Sequence, residues 1–149
     1  MVDSLWFPRS GFERLSNCIF LGRVIDKARR KASGLPIGEY MYGDNDYMDS
    51  RVLGFLRAKA ADMDSLVRSE PNDEIVARTL IERSGKSPKQ IAFFSSRMLL
   101  IYAPIFAMFD ADEGRKTSAP AKGLANFYNR VLYPPFAKKY LEDEARTKP

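Results

Sequence analysis

Apolar residues recur at Leu21, Val24, Ile25, Ala28 and Ala32, the spacing that lines one face of a helix, while Arg23, Asp26, Lys27 and Arg30 repeat on the opposite side. This predicts a helix over residues 21–34, ended by Gly34 at the position of a C-terminal cap, with Lys31 near the negative pole of the helix dipole. One face asks for a core, the other for water or an anion. Upstream, Ser10-Gly11-Phe12-Glu13 has the Ser-x-x-Glu spacing of a capping box and predicts a short first helix, with Ser16-Asn17 as a break. Downstream, Val52, Leu53, Phe55 and Leu56 mark a third helix, and Asp62 or Asp64 is placed to cap a segment around Leu66 and Val67. Pro71-Asn72-Asp73 opens a helix carrying Ile75, Val76, Thr79 and Leu80 that Gly85 ends, and Ser87-Pro88 opens one expected to run to Tyr102, just before Pro104. A polar loop is expected over residues 110–120, then an apolar helical face at Leu124, Phe127, Tyr128, Val131 and Leu132, then a short helix with Phe136, Tyr140 and Leu141. The expectation is one all-α domain over residues 1–149, with six to eight helices and a long Tyr/Asp-rich connection over residues 35–46.

Composition narrows the chemistry. With no histidine, the chain has no imidazole ligand, base or pH switch, and its one cysteine, Cys18, cannot form an intramolecular disulfide. The net charge of +5 is uneven: residues 1–38 and 115–149 are basic, residues 39–49 hold four acids and no base, and the middle is balanced. Such a balance suits an anionic partner but is first a statement about solubility and encounter. The start of the chain lacks a basic region followed by an apolar stretch, and the apolar run 98–109 is shorter than the roughly 20 residues of a spanning helix, so a soluble, cytoplasmic protein with no membrane contact is expected.

Lys27, one turn from Arg23 and beside Asp26, has the crowding of like charge that lowers an amine pKa, yet an anion site built from Arg23, Lys27 and Arg30 needs only placement. The plain structural reading is a solvated face on which Asp26 pairs with Arg30. Glu39, Tyr40, Tyr42, Asp44, Asp46 and Asp49 gather oxygens that could attract a divalent cation, but their spacing fits no dedicated loop, and Asp44-Asn45-Asp46 reads as a turn capping the next helix. Residues 110–114 fail as a calcium loop, and Ser84-Gly85-Lys86-Ser87 lacks the earlier glycine of a phosphate-binding loop. Cys18 beside Ile19 and Phe20 reads as packing. The C-terminal segment interleaves aromatics with bases, which makes nucleic-acid binding a further reading. No metal or cofactor is expected.

The residues Phe7-Pro8-Arg9-Ser10, Glu13-Arg14-Leu15, Leu21-x-Arg23-x-Ile25-Asp26-Lys27-Ala28-Arg29 and Gly38-Glu39-Tyr40-x-Tyr42, with Phe55-Leu56 and Asp73-Glu74, resemble an uncharacterised bacterial family, domain of unknown function 5069. The resemblance covers about the first half of the chain. It implies a mostly helical bacterial protein and brings no activity or catalytic residue; a Cys-Pro pair near Gly43-Asp44 in some relatives is absent here. Its shared motifs hold Arg9, Arg14, Arg23, Asp26, Lys27, Glu39, Tyr40 and Tyr42, which with Arg30 form the candidate ligand site for a phosphate or carboxylate. The alternative is that Asp26 and Glu39 pair with these cations and lock the connection onto the helix. The expected function is a noncatalytic, self-associating binding module for an anionic small molecule. The runner-up is a small enzyme working on an acidic metabolite through Asp26, Lys27 and the loop tyrosines.

Overall fold

The computed structural model describes residues 5–115, and the helices expected around residues 124–132 and 136–141 lie outside them. The fold is mainly helical, with one two-stranded sheet. In chain order the elements are β1 (Arg14–Leu15), β2 (Cys18–Ile19), α1 (Leu21–Ala32), α2 (Tyr47–Phe55), α3 (Ala60–Ser69), α4 (Asp73–Ser84) and α5 (Pro88–Asp112). Five helices stand among the described residues. Packing divides the chain into two units, residues 1–100 and 101–149, with the boundary inside α5.

The first correction concerns residues 10–19. Ser10 Oγ accepts the Phe12 N–H at 3.2 Å and the Ser10 carbonyl accepts that of Glu13 at 3.2 Å, so the stretch is a turn, and no helix follows. The chain instead pairs β1 antiparallel with β2, Arg14 opposite Ile19 and Leu15 opposite Cys18. Ser16 and Asn17 take φ values of 47° and 63°, the left-handed pair that a two-residue hairpin turn requires. What decides against the helix is distant in sequence: buried Ser95 of α5 accepts the Ile19 N–H at 3.0 Å and donates to the Asn17 carbonyl at 2.7 Å. A serine within the apolar stripe of α5 is thus fully used.

α1 lies at the centre of the first unit, packed on α3 above all and touching α4, α2 and β1. Leu21, Val24, Ile25 and Ala28 are all buried, as their spacing requires. At its end the Gly34 N–H bonds the Lys31 carbonyl and the Leu35 N–H bonds that of Arg30, a Schellman closure with Gly34 in the left-handed region. The later starts follow local capping. Asp46 accepts the Asp49 N–H at the head of α2, Asp62 the Lys59 N–H at the head of α3, and Asn72 the Ile75 N–H at the head of α4. Ser87 and Gln90 exchange side-chain bonds with each other's N–H at the head of α5.

The second correction is the length of α5. It continues through Pro104 to Asp112, at 25 residues, rather than ending near Tyr102, and so takes in the start of the expected 110–120 loop. Proline removes one donor from the ladder, and the carbonyl four residues back belongs to Leu100, an exposed position open to water. By length and composition α5 is apolar enough to cross a membrane, a test that the core helix of a soluble protein also passes.

Candidate functional site

The polar face of α1 is mostly covered. Arg23 is 2% exposed and Lys27 3%, so the solvated face expected from their spacing is a set of buried cations, each of which needs a partner to be tolerated.

Arg9 and Asp26 form the first part of that covering. Asp26 Oδ2 accepts the Arg9 backbone N–H at 2.7 Å and its Nε at 3.0 Å, and Oδ1 accepts Nη2 at 2.6 Å. Asp26 therefore pairs with Arg9, not with Arg30. Nη2 of Arg9 also donates to Asp73, which receives Arg29 Nε at 2.5 Å; Arg29 spends its other nitrogens on the Val67 and Glu70 carbonyls. Two arginines and two carboxylates alternate, tying the N-terminal arm, α1 and the first turn of α4 together. The bond to Asp26 raises the Arg9 pKa further above its ordinary value. Burial pulls the Asp73 carboxyl upward, but the bonds from Arg9 and Arg29 outweigh it and hold the pKa low. Gly22 makes room: a Cβ there would stand 2.6 Å from Arg9 Cδ.

Lys27 anchors the connection over residues 35–46. Its Nζ donates to Asp49 Oδ1 at 2.6 Å and to the Met41 carbonyl at 2.9 Å, with Asp46 at 3.9 Å, while Asp49 Oδ2 accepts the Gly43 N–H at 3.0 Å. Gly43 sits at φ 90°, where a Cβ would meet that of Ala60 at 2.9 Å, so only glycine delivers this N–H. Asp49 is fully buried, and that burial pushes its pKa up to about 7 despite the attraction of Lys27. The Tyr42 hydroxyl donates to Asp64 at 2.8 Å, and burial first, then Asp64, raises its pKa. Asp44 accepts the Ala60 N–H at 3.1 Å. Asp44, Asp46 and Asp49 are therefore spent on caps and anchors, and among the described residues no three carboxylates or thiols are placed to hold a metal ion.

The remaining candidates divide. Arg14 is exposed on β1, and Glu39 is exposed with no hydrogen bond or ion pair among the described residues, so the expected lock through Glu39 is made by Asp49 instead. Cys18 is buried, and loss of solvation pushes its thiol up to about 12. Arg23 Nη1 donates to the Arg9 carbonyl at 3.3 Å and its guanidinium lies 5.2 Å from the Tyr40 ring. Tyr40 meets the edge of Trp6 at 6.0 Å, and Arg30 lies over the Trp6 ring at 4.8 Å. Arg30 Nε donates to the Pro36 carbonyl at 2.8 Å; its two Nη nitrogens have no hydrogen-bond partner among the described residues.

This corner holds an open pocket of about 270 Å³ lined by Trp6, Asp26, Arg29, Arg30, Ser33 and Leu35. Of the sequence candidates it brings together Asp26 and Arg30. Arg9, Arg23, Lys27, Tyr40 and Tyr42 do not line it. Trp6, Arg29, Asp49 and Asp73 escaped the candidate set, Asp49 having been weighed only within the acidic cluster. The basic aromatic segment beyond residue 115 lies outside the described residues.

A family model described as a domain of unknown function matches residues 6–115. No curated protein and no solved structure matches the chain.

Proposed function

We propose, for a chain that belongs to the family domain of unknown function 5069, a noncatalytic binding module that takes a small anion in the pocket between Trp6 and Arg30. The observation that carries this reading is Arg30: a cation fixed through Nε and its contact over the Trp6 ring, lining an open surface pocket with its two Nη nitrogens still open among the described residues. The site thus shifts from the buried middle of α1 to its C-terminal end. Proton transfer by Asp26 and Lys27 has no comparable support, since Arg9 holds the first and Asp49 and the Met41 carbonyl the second. The same reading takes the protein as a self-associating molecule of the bacterial cytoplasm.

The test is thermal unfolding of the full chain against phosphates, carboxylates and nucleotides, for the parent and Arg30→Gln. A ligand that binds only the folded state raises the midpoint in a saturating way. The proposal expects at least one anion to do so and Arg30→Gln to abolish the shift. No shift with any anion, or an equal shift in Arg30→Gln, overturns it.

A further inference from the structure

Resting on the pocket reading above, we infer that the ligand is a monocarboxylate carried on an apolar, ring-sized body, and not a phosphate ester.

The charge available to a ligand is small. Arg29 lines the pocket, but each of its three nitrogens already donates, one to the Asp73 carboxylate and two to carbonyls. Asp26 also lines it and brings a negative charge whose hydrogen bonds come from Arg9. Ser33 Oγ donates its proton to the Arg29 carbonyl, and the pocket lies at the negative end of the α1 dipole. Arg29 is balanced by Asp73 and Asp26 by Arg9, which leaves Arg30 as the one uncompensated charge lining the pocket, beside a helix C-terminus. A dianionic phosphate would face the negative helix end with a single uncompensated cation to hold it, whereas a monoanion asks for no more than Arg30 supplies.

The shape of the donor agrees. With Nε spent on Pro36 and Cζ 4.8 Å from the Trp6 ring centroid, Arg30 has its two Nη nitrogens left among the described residues, and a planar fork of N–H groups matches a carboxylate in its own plane. Trp6 and Leu35, the latter half exposed, supply apolar walls. A volume near 270 Å³ lies just under the range of roughly 300–1,000 Å³ typical of drug-sized ligands, which suits one ring and one carboxylate.

Trp6 is the only tryptophan, so its fluorescence in the full chain reports the pocket directly. The probes are benzoate, benzamide, acetate, phenyl phosphate and inorganic phosphate. The inference expects a saturable change with benzoate, binding weaker by about tenfold or more for phenyl phosphate and acetate, no saturation with benzamide, and a similar loss for benzoate in Arg30→Gln. Arg30→Lys, which keeps the charge but not the fork, should recover only part of the affinity, and a denaturant melt of each variant checks that it is folded. If phenyl phosphate or inorganic phosphate binds as tightly as benzoate and depends on Arg30, the monocarboxylate assignment falls and the anion pocket stands. Acetate equal to benzoate removes the apolar body in the same way. Benzamide equal to benzoate, or no saturation with any probe, overturns both.

Discussion

Gly22→Ala sets two effects of opposite sign against each other. On helix propensity alone, replacing glycine in α1 should stabilise the protein by at most about 1 kcal/mol. The structure reverses this expectation. The new methyl would sit 2.6 Å from Arg9 Cδ and 3.1 Å from Nε, distances that force the shaft to move. Arg9 cannot swing freely, because its backbone N–H is held by Asp26 and its guanidinium by Asp26 and Asp73. Displacing it loses at least one of three charge-assisted side-chain bonds. Their side chains are about a quarter exposed, so each is taken at the low end of its range, about 1.5 kcal/mol. Losing one or two of them against the gain leaves a net destabilisation of about 1 kcal/mol. Urea unfolding followed by circular dichroism measures it, and Arg9→Ala provides the control, since Gly22→Ala should turn stabilising once the shaft is gone. A Gly22→Ala protein more stable than its parent would refute the latch.

Other expectations follow from the same geometry. Lys27→Met should cost about 3 kcal/mol, the low end for breaking a buried pair because Asp49 can take up a proton, and adding Asp49→Leu should recover much of it; additive losses in a double-mutant cycle would deny the pairing. Asp49, with a folded pKa near 7 against an ordinary 3.8, contributes stability that is complete below the ordinary range and is lost as pH rises through about 7. Asp73, with a lowered pKa, contributes stability above its unfolded pKa that is lost as pH falls through its folded one. Stability should therefore peak in mild acid, and Asp49→Asn should flatten the neutral limb; an unchanged slope there would assign that limb to other groups. Cys18, fully buried with its thiol near 12, should react with a thiol reagent at neutral pH only as fast as the protein opens, and prompt labelling of the native state would contradict its placement.

How much the sequence disclosed follows from the range of each interaction. The apolar stripe of α1 and the caps at Asp46, Asn72 and Ser87 were legible because they are made within one or two turns of chain. The hairpin was not: strands of two residues carry no alternation to read, and Ser95 fixes them from 76 positions away. Nor was the burial of α1's polar face. A cation on a solvated face and one held by a distant carboxylate look alike in sequence; Asp49 lies 22 residues from Lys27 and Asp73 44 from Arg29. The sequence offered pairing of Asp26 and Glu39 with these cations as one alternative, but not the partners actually used, Arg9 for Asp26 and Asp49 for Lys27. Trp6 entered the site through an N-terminal arm that carries no periodic signal of its own.

The central claim is a division of labour on α1, with Asp26 and Lys27 holding the fold through Arg9 and Asp49, and Arg30 proposed for a ligand. The most direct measurement is urea unfolding of Arg30→Gln beside the parent, each with and without a saturating concentration of the anion that shifts the parent most. The account predicts that without the anion Arg30→Gln loses about 1–2 kcal/mol, for the Pro36 bond and the Trp6 contact, short of the roughly 3 kcal/mol of Lys27→Met, and that only the parent gains when the anion is added. An Arg30→Gln protein that loses stability on the scale of Lys27→Met, or that is stabilised by the anion as fully as the parent, would contradict it.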